Sequence, residues 1–278
     1  MRFYTVLQYY FMLDDQKTQL LETLLRARGI ATEEEKERFL SPEWERDTHD
    51  PFLLTDMDVA VERIVRAMHE GEHILIWSDY DMDGIPGAVV LHDMFVKLGY
   101  KNISHYTPHR NKEGFGLNTA GIDTAKKNGV ALLITIDCGI TDVAQVAYAQ
   151  EKGIDVIVTD HHLLGEALPP AVAVVDPKRP DCTYPEPMLC GAGVIFKVVQ
   201  GVLAYLREDA ARVPSGISVP PVGWEKWLLD MVGIATISDM VPLTGENRVF
   251  ARYGLFVLRK SPRCGLQALL KKARADQR

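Results

Sequence analysis

The chain has 278 residues, 47% of them hydrophobic and 25% charged, with a net charge of −7; this is ample for the core of one large domain or two small ones. No stretch approaches the ~20 apolar residues that a bilayer-spanning helix needs. Cys138, Cys182, Cys190 and Cys264 show no Cys-x-x-Cys spacing of a zinc or redox motif and read as reduced, mostly buried thiols of a cytoplasmic protein. The apolar opening, residues 3–13, contains Gln8 and several tyrosines, lacks a small-residue cleavage site and runs into Asp14-Asp15, which argues against export.

Residues 1–50 read as an N-terminal helical extension, with Thr32-Glu33-Glu34-Glu35 a helix start and Pro42 a break. Residues 51–245 read as an α/β catalytic unit. The apolar run Ile74-Leu75-Ile76-Trp77 leads into Ser78-Asp79-Tyr80-Asp81-Met82-Asp83-Gly84. The spacing then predicts a helix over 84–98, a strand over 103–106, a helix over 119–128 and a strand over 130–136. A helix over 141–151, a strand over 154–159 and a short apolar run over 171–175 follow. Such alternation implies right-handed crossovers and a largely parallel sheet with helices on both faces; the nearly unbroken apolar strands fit that burial. Pro-rich segments 168–187 and 213–221 are loops, and helices are predicted over 193–206 and 224–237. Residues 246–278 read as basic connecting helices interrupted near Pro262 and Gly265.

Three carboxylates at every second residue, Asp79, Asp81 and Asp83, are costly to bury unless paired or metal-bound. An exposed acidic loop would explain them alone, but the pattern recurs. Leu132-Leu133-Ile134-Thr135-Ile136 runs into Asp137, and Ile154–Thr159 runs into Asp160-His161-His162. Ligands of parallel sheets bind outside the carboxyl ends of the strands, so one pocket is predicted to hold these seven side chains. Asp and His suit Mn²⁺, Mg²⁺ or Zn²⁺.

Asp-Tyr-Asp-Met-Asp-Gly at 79–84, Asp-Cys-Gly at 137–139 and Asp-His-His at 160–162 resemble successive motifs of the DHH phosphoesterases, most closely the RecJ-type single-strand exonucleases. Pro108-His109-Arg110, Glu113-Gly114-Phe115-Gly116-Leu117, Leu189-Cys190-Gly191-Ala192-Gly193 and Ser238-Asp239-Met240-Val241-Pro242-Leu243 follow the same order, as do Gly245-Glu246-Asn247-Arg248. The resemblance covers roughly residues 20–278; Pro86-Gly87, where the family has small hydroxyl or alanine residues, is a minor departure. It implies a metal-dependent phosphodiesterase that degrades single-stranded DNA from the 5′ end to mononucleotides. Two divalent ions are implied, Mn²⁺ ahead of Mg²⁺. Asp81 and Asp83 would each bind one ion, Asp137 would bridge them, and His161 and Asp239 would complete the second site. Asp79 would complete or support the first, His162 would face the scissile phosphate, and Asp160 would orient its neighbours. Asp239 enters through the resemblance only.

Substrate contacts are open to two readings each. His109 and Arg110 would meet a phosphate or serve as loop cations. Gly191 and Gly193 would place a helix N-terminus against an anion or permit close packing. Residues 246–278 hold nine Lys/Arg and two acids, net +7, leaving −14 on the other 245 residues; Arg248 and its neighbours would track phosphates or form a solvated face. The resemblance implies single-stranded DNA as partner, with a single-strand-binding protein or helicase as candidate protein partners. RecJ-like chains continue into a second substrate-binding domain, expected to be absent from this sequence, which would make it a catalytic half with little activity alone. Competing readings are a short-oligonucleotide phosphodiesterase and a non-catalytic replication or repair scaffold. In DHH pyrophosphatases and short-oligonucleotide phosphodiesterases a metal-binding His stands where this chain has Trp77.

Overall fold

The computed structural model describes residues 17–275; the opening apolar run, residues 3–13, lies outside them. The described residues form two compact units that divide after Asp47. In the first, α1 spans residues 17–26, α2 Glu33–Leu40 and α3 Trp44–Asp47. The predicted start of α2 is a capping box. The Glu35 amide donates to Thr32 Oγ1 at 3.1 Å, and the Thr32 amide to Glu35 Oε2 at 2.9 Å, so two free helix-end donors are satisfied reciprocally.

The second unit is built on five parallel strands, β1 (His73–Ser78), β2 (Ile103–Tyr106), β3 (Val130–Ile136), β4 (Asp155–Thr159) and β5 (Ala173–Val175), in the order β2-β1-β3-β4-β5. The predicted α/β class and parallel sheet are therefore observed. β1, β3 and β4 are buried almost throughout, and alternate residues feed two faces. Leu75, Trp77, Leu133, Val156 and Val158 join one core with Ile122 of α6 (Thr119–Lys127) and Val146 of α7 (Val143–Glu151). On the other face, α5 (Gly84–Leu98) and α8 (Gly191–Glu208) pack together. A Cβ on Gly87 would lie 2.6 Å from Ile136 and 3.2 Å from Ile195, so glycine lets α5 and α8 meet over β3.

Several boundaries differ from the sequence reading. α4 (Met57–Glu70) was not among the predicted helices, although Ala60, Val61, Ile64, Val65 and Met68 are buried at helical spacing. α8 begins at Gly191, two residues before the predicted 193. The helix predicted over 224–237 is a 3₁₀ turn, Trp224–Leu228, followed by α9 (Leu229–Ser238). α10 (Gly245–Leu258) lies against α9 with Gly233 and Gly254 in backbone contact, and α11 is Cys264–Lys272.

A buried ion pair joins α8 to α10. Lys197 Nζ donates to Glu246 Oε1 at 2.9 Å and to the His49 carbonyl at 2.6 Å, and both charged side chains are fully buried. Glu246 also accepts from the Tyr184 hydroxyl and, at 3.1 Å, from the His49 amide. Removing one partner of such a pair strands the other charge in a low-dielectric interior. Lys197→Met is expected to lower the unfolding free energy by ~3–5 kcal/mol. Adding Glu246→Gln should recover much of that loss, measured by urea denaturation.

Candidate metal centre

The strand order reverses between β1 and β3: the chain leaves β1 for β2 on one side and returns on the other. This is the switch point at which open α/β sheets bind ligands. Asp79 follows β1, Asp137 follows β3 and Asp160 follows β4, so register alone brings them to one edge. The Asp79 amide donates to the Ile136 carbonyl at 3.2 Å and the Asp137 amide to the Thr159 carbonyl at 3.0 Å, continuing the ladder into the site. Asp137 has φ +63°, a left-handed conformation that costs about 1–3 kcal/mol for a non-glycine residue.

Three overlapping groups of donor atoms result, each within 4.8 Å: Asp79/Asp81/Asp137, Asp137/His161/His162 and Asp83/His161/Asp239. His161 Nε2 is 3.1 Å from Asp137 Oδ1 and 3.5 Å from Asp83 Oδ2, while its Nδ1 is 3.8 Å from Asp239 Oδ2. Asp137 is thus common to the acidic set and the histidine set. Asp239, which follows α9 rather than a strand, reaches the cluster from the end of that helix.

Asp160 behaves differently from the rest. Its Oδ1 accepts the His161 amide at 2.7 Å, the His162 amide at 3.2 Å and His162 Nδ1 at 2.7 Å, while Oδ2 accepts the Ile140 amide at 2.9 Å. Burial raises its affinity for a proton, but these donors, led by His162, outweigh it and hold the carboxyl below its ordinary range. The Asp160 bond in turn raises His162 to about 9. His162 is half exposed, and Phe115 meets its ring edge-on at 5.6 Å.

The donor set fits divalent cations. Asp79 Oδ1, Asp137 Oδ1 and His161 Nδ1 are buried without a hydrogen-bond partner. Burial, with the charges of Asp137 and Asp239, raises Asp83 to about 9; burial, with Asp81 and Asp160, raises Asp137 to about 9. Carboxylates this close cannot all ionise without a compensating cation.

Gly191 meets two carboxylates of the cluster. The Gly191 amide donates to Asp83 Oδ2 at 2.7 Å, so the anion at the N-terminus of α8 is a carboxylate of the cluster. A Cβ on Gly191 would lie 2.5 Å from the Asp137 Cβ, whereas one on Gly193 would make ordinary contacts with Leu189 and Cys190. Arg110 stands 5.4 Å from the Tyr80 ring, beside the acidic loop. His109 lies in the adjoining turn, where its amide donates to Glu113 Oε2 at 2.7 Å. Arg248 is half-buried in the first turn of α10.

One strand-end carboxylate escaped the sequence reading. Asp176, directly after β5, is fully buried with Oδ2 unpartnered, and burial lifts it to about 7. Its signal was the one used for the others, an apolar run ending in Asp, but the strand before it is only three residues long.

Two outcomes follow from this geometry. Asp83 and Asp137 have folded-state pKa values above the unfolded ~4, so without metal both take up protons on folding. Their contribution to stability without metal is therefore fully present below about pH 4 and is expected to be lost as pH rises towards 9. Saturating Mn²⁺, which needs the deprotonated ligands, should reverse the slope in urea denaturation at about pH 5.5 and about pH 8. Gly191→Ala is expected to weaken Mn²⁺ binding ~10–100-fold, as for other groups that orient metal ligands, by calorimetric titration.

A profile of the DHH family, N-terminal domain, matches residues 73–219, more than half of the chain. The sequence is 39% identical over 259 residues to the single-stranded-DNA-specific exonuclease RecJ of Bacillus subtilis (strain 168), a match covering 93% of this chain and 30% of that protein. It is 34% identical over 260 residues to RecJ of Escherichia coli (strain K12), covering 92% and 43%. The chain thus spans less than half the length of these relatives. Its fold is similar to a crystal structure of exonuclease RecJ bound to manganese, with a TM-score of 0.68 and 29% identity over 81% of this chain and 55% of that one. A structure of RecJ from Thermus thermophilus in complex with Mn²⁺ matches with a TM-score of 0.69 and 26% identity, over 91% of this chain and 34% of that one. The motifs at 79–84, 137–139 and 160–162, the parallel sheet that gathers them and the matching profile agree: this chain belongs to the DHH family.

Proposed function

We propose that the chain is the catalytic unit of a RecJ-type exonuclease, hydrolysing phosphodiester bonds of single-stranded DNA from the 5′ end with two divalent ions, Mn²⁺ preferred. The observation that carries this reading is the convergence of Asp79, Asp81, Asp83, Asp137, His161 and Asp239 within overlapping ligand-sized groups.

Bound divalent ions supply Lewis-acid stabilisation of phosphoryl oxygens and a nucleophile at neutral pH. Asp79, Asp81 and Asp137 would hold one ion, and Asp83, His161 and Asp239 the other, with Asp137 available to both. Asp160 fixes the His162 ring through Nδ1, which leaves Nε2 to face a phosphoryl oxygen. The Asp160 carboxylate raises the proton affinity of His162 in the metal-free protein, and the ring would donate to a phosphoryl oxygen on which charge develops. Arg110 beside Tyr80 adds a cation at the rim of an otherwise acidic pocket, where a bidentate phosphate contact is available to it. Arg248, Arg252, Arg259 and Lys260 on and after α10 extend positive charge away from the pocket and would contact the strand backbone.

Trp77 separates this reading from a short-oligonucleotide phosphodiesterase. It is fully buried and stacks on Tyr106 at 4.1 Å, filling the position of the metal-binding histidine with a core side chain. A complete set of ligand residues argues against a scaffold that has lost its metals.

End-labelled single strands incubated with Mn²⁺ or Mg²⁺ test the proposal. A 5′ label should appear first in mononucleotide, and Asp137→Ala should reduce the rate at least ~100-fold with the fold intact. Release of internal fragments, or undiminished cleavage by Asp137→Ala, would contradict it. Neutralising Arg252 and Arg259 should flatten the salt dependence of single-strand binding by ~0.7 in slope per lost phosphate contact; an unchanged slope would make α10 a solvated face.

A further inference from the structure

Between α5 and the edge strand β2, a second set of donor atoms lies outside the carboxylate cluster. His92 of α5 places Nδ1 2.8 Å from Nε2 of His105 on β2. The two rings are tilted at 49°, with centroids 4.9 Å apart. They line a cavity of ≈ 330 Å³ together with the hydroxyl residues Ser78 and Thr107 and the apolar Ile85 and Val89. Ser78 Oγ and Thr107 Oγ1 are 3.1 Å apart, so oxygen and nitrogen donors border the same space.

A direct imidazole–imidazole hydrogen bond shares one proton between two bases. The same two nitrogens also have the spacing of a chelate. An ion at ~2.0–2.1 Å from two nitrogens at right angles holds them about 2.9 Å apart, close to the observed separation. Both arms are rigid: His92 is on a helix, and His105 pairs in register with Ile76 of β1. Little ordering is therefore required on binding. Burial and the neighbouring His92 hold His105 below its ordinary range, which keeps its nitrogen available as a free base. Imidazole donors favour Ni²⁺, Cu²⁺ and Zn²⁺, whereas carboxylates favour Mn²⁺ and Mg²⁺. We propose that His92 and His105 form a separate binding site for a borderline transition-metal ion of the Ni²⁺, Cu²⁺ or Zn²⁺ class, with water in the cavity completing its coordination. The carboxylate cluster, which contains His161, would compete for the same ions, so the site is identified by its dependence on His92 and His105; it does not depend on what that cluster hydrolyses.

Calorimetric titration of Ni²⁺ into the full chain saturated with Mg²⁺ tests the site, with Cu²⁺ and electron paramagnetic resonance as a second readout. One Ni²⁺ equivalent that depends on His92 and His105 is expected to bind in the micromolar range, and the Cu²⁺ bound with it should show hyperfine coupling to two imidazole nitrogens. His92→Ala and His105→Gln, whose folding is checked by urea denaturation, should each weaken Ni²⁺ binding by ~100-fold, the loss expected when two-point attachment becomes one-point. Each should also remove one nitrogen from the Cu²⁺ spectrum. Asp137→Asn should leave the His92- and His105-dependent Ni²⁺ equivalent and its two-nitrogen Cu²⁺ coupling unchanged. Ni²⁺ affinity that survives both histidine variants, falls only in His161→Ala, or requires millimolar ion in the unmodified protein would overturn the proposal.

Discussion

Carboxylate repulsion at the ends of β1, β3 and β4 is the constraint on which the rest of this structure depends. Asp79, Asp83 and Asp137 are nearly inaccessible to water, and each buried negative charge costs several kcal/mol unless something offsets it. The fold offsets part of it with oriented donors. Asp81 Oδ1 accepts the Asp83 and Gly84 amides, and Asp83 accepts the amide at the start of α8. Asp160 is satisfied completely and turns that satisfaction into the orientation of His162. What remains unoffset, the bare oxygens of Asp79 and Asp137, is the part a divalent ion would meet. The same carboxylates that destabilise the metal-free fold are therefore the ones that make it bind cations.

Helix α8 links this electrostatics to packing. Its first residue touches Asp83 and Asp137, and one and a half turns on, Lys197 grips Glu246 at the start of α10. Asp239 lies between α9 and α10, shortly before Glu246, so the buried ion pair anchors the segment that delivers the last carboxylate. Gly233 and Gly254 bring α9 and α10 into backbone contact, which fixes where α9 ends. Stability and site geometry are thus carried by the same helix.

Much of this was legible in the sequence. The strands over 103–106 and 130–136 and the helix over 84–98 have the predicted bounds; for the last two an uninterrupted apolar run and a 3.6-residue stripe specify burial on two faces or one, whereas Ile-Ser-His-Tyr at 103–106 carries no such run. The gathering of Asp79, Asp137 and Asp160 followed from the same runs, since parallel strands put all their carboxyl ends on one side. Asp239 could not be read this way. It follows a helix, and only the tertiary course of α9 brings it near His161. The bond from Gly191 to Asp83 spans 108 residues, which no local pattern encodes; the sequence left Gly191 and Gly193 open between an anion-binding helix N-terminus and close packing. Asp176 was missed because a three-residue strand carries too little periodicity, and α4 was missed although its stripe was present.

The ligand groups that meet at Asp137 are those proposed to hold two divalent ions in one pocket. Electron paramagnetic resonance of the protein titrated with Mn²⁺ tests this proposal most directly. At two equivalents, a spin-coupled spectrum from ions ~3.5–4 Å apart is expected, and Asp137→Ala should convert it to the signal of isolated Mn²⁺. An isolated-ion spectrum at every stoichiometry in the unmodified protein would contradict the account.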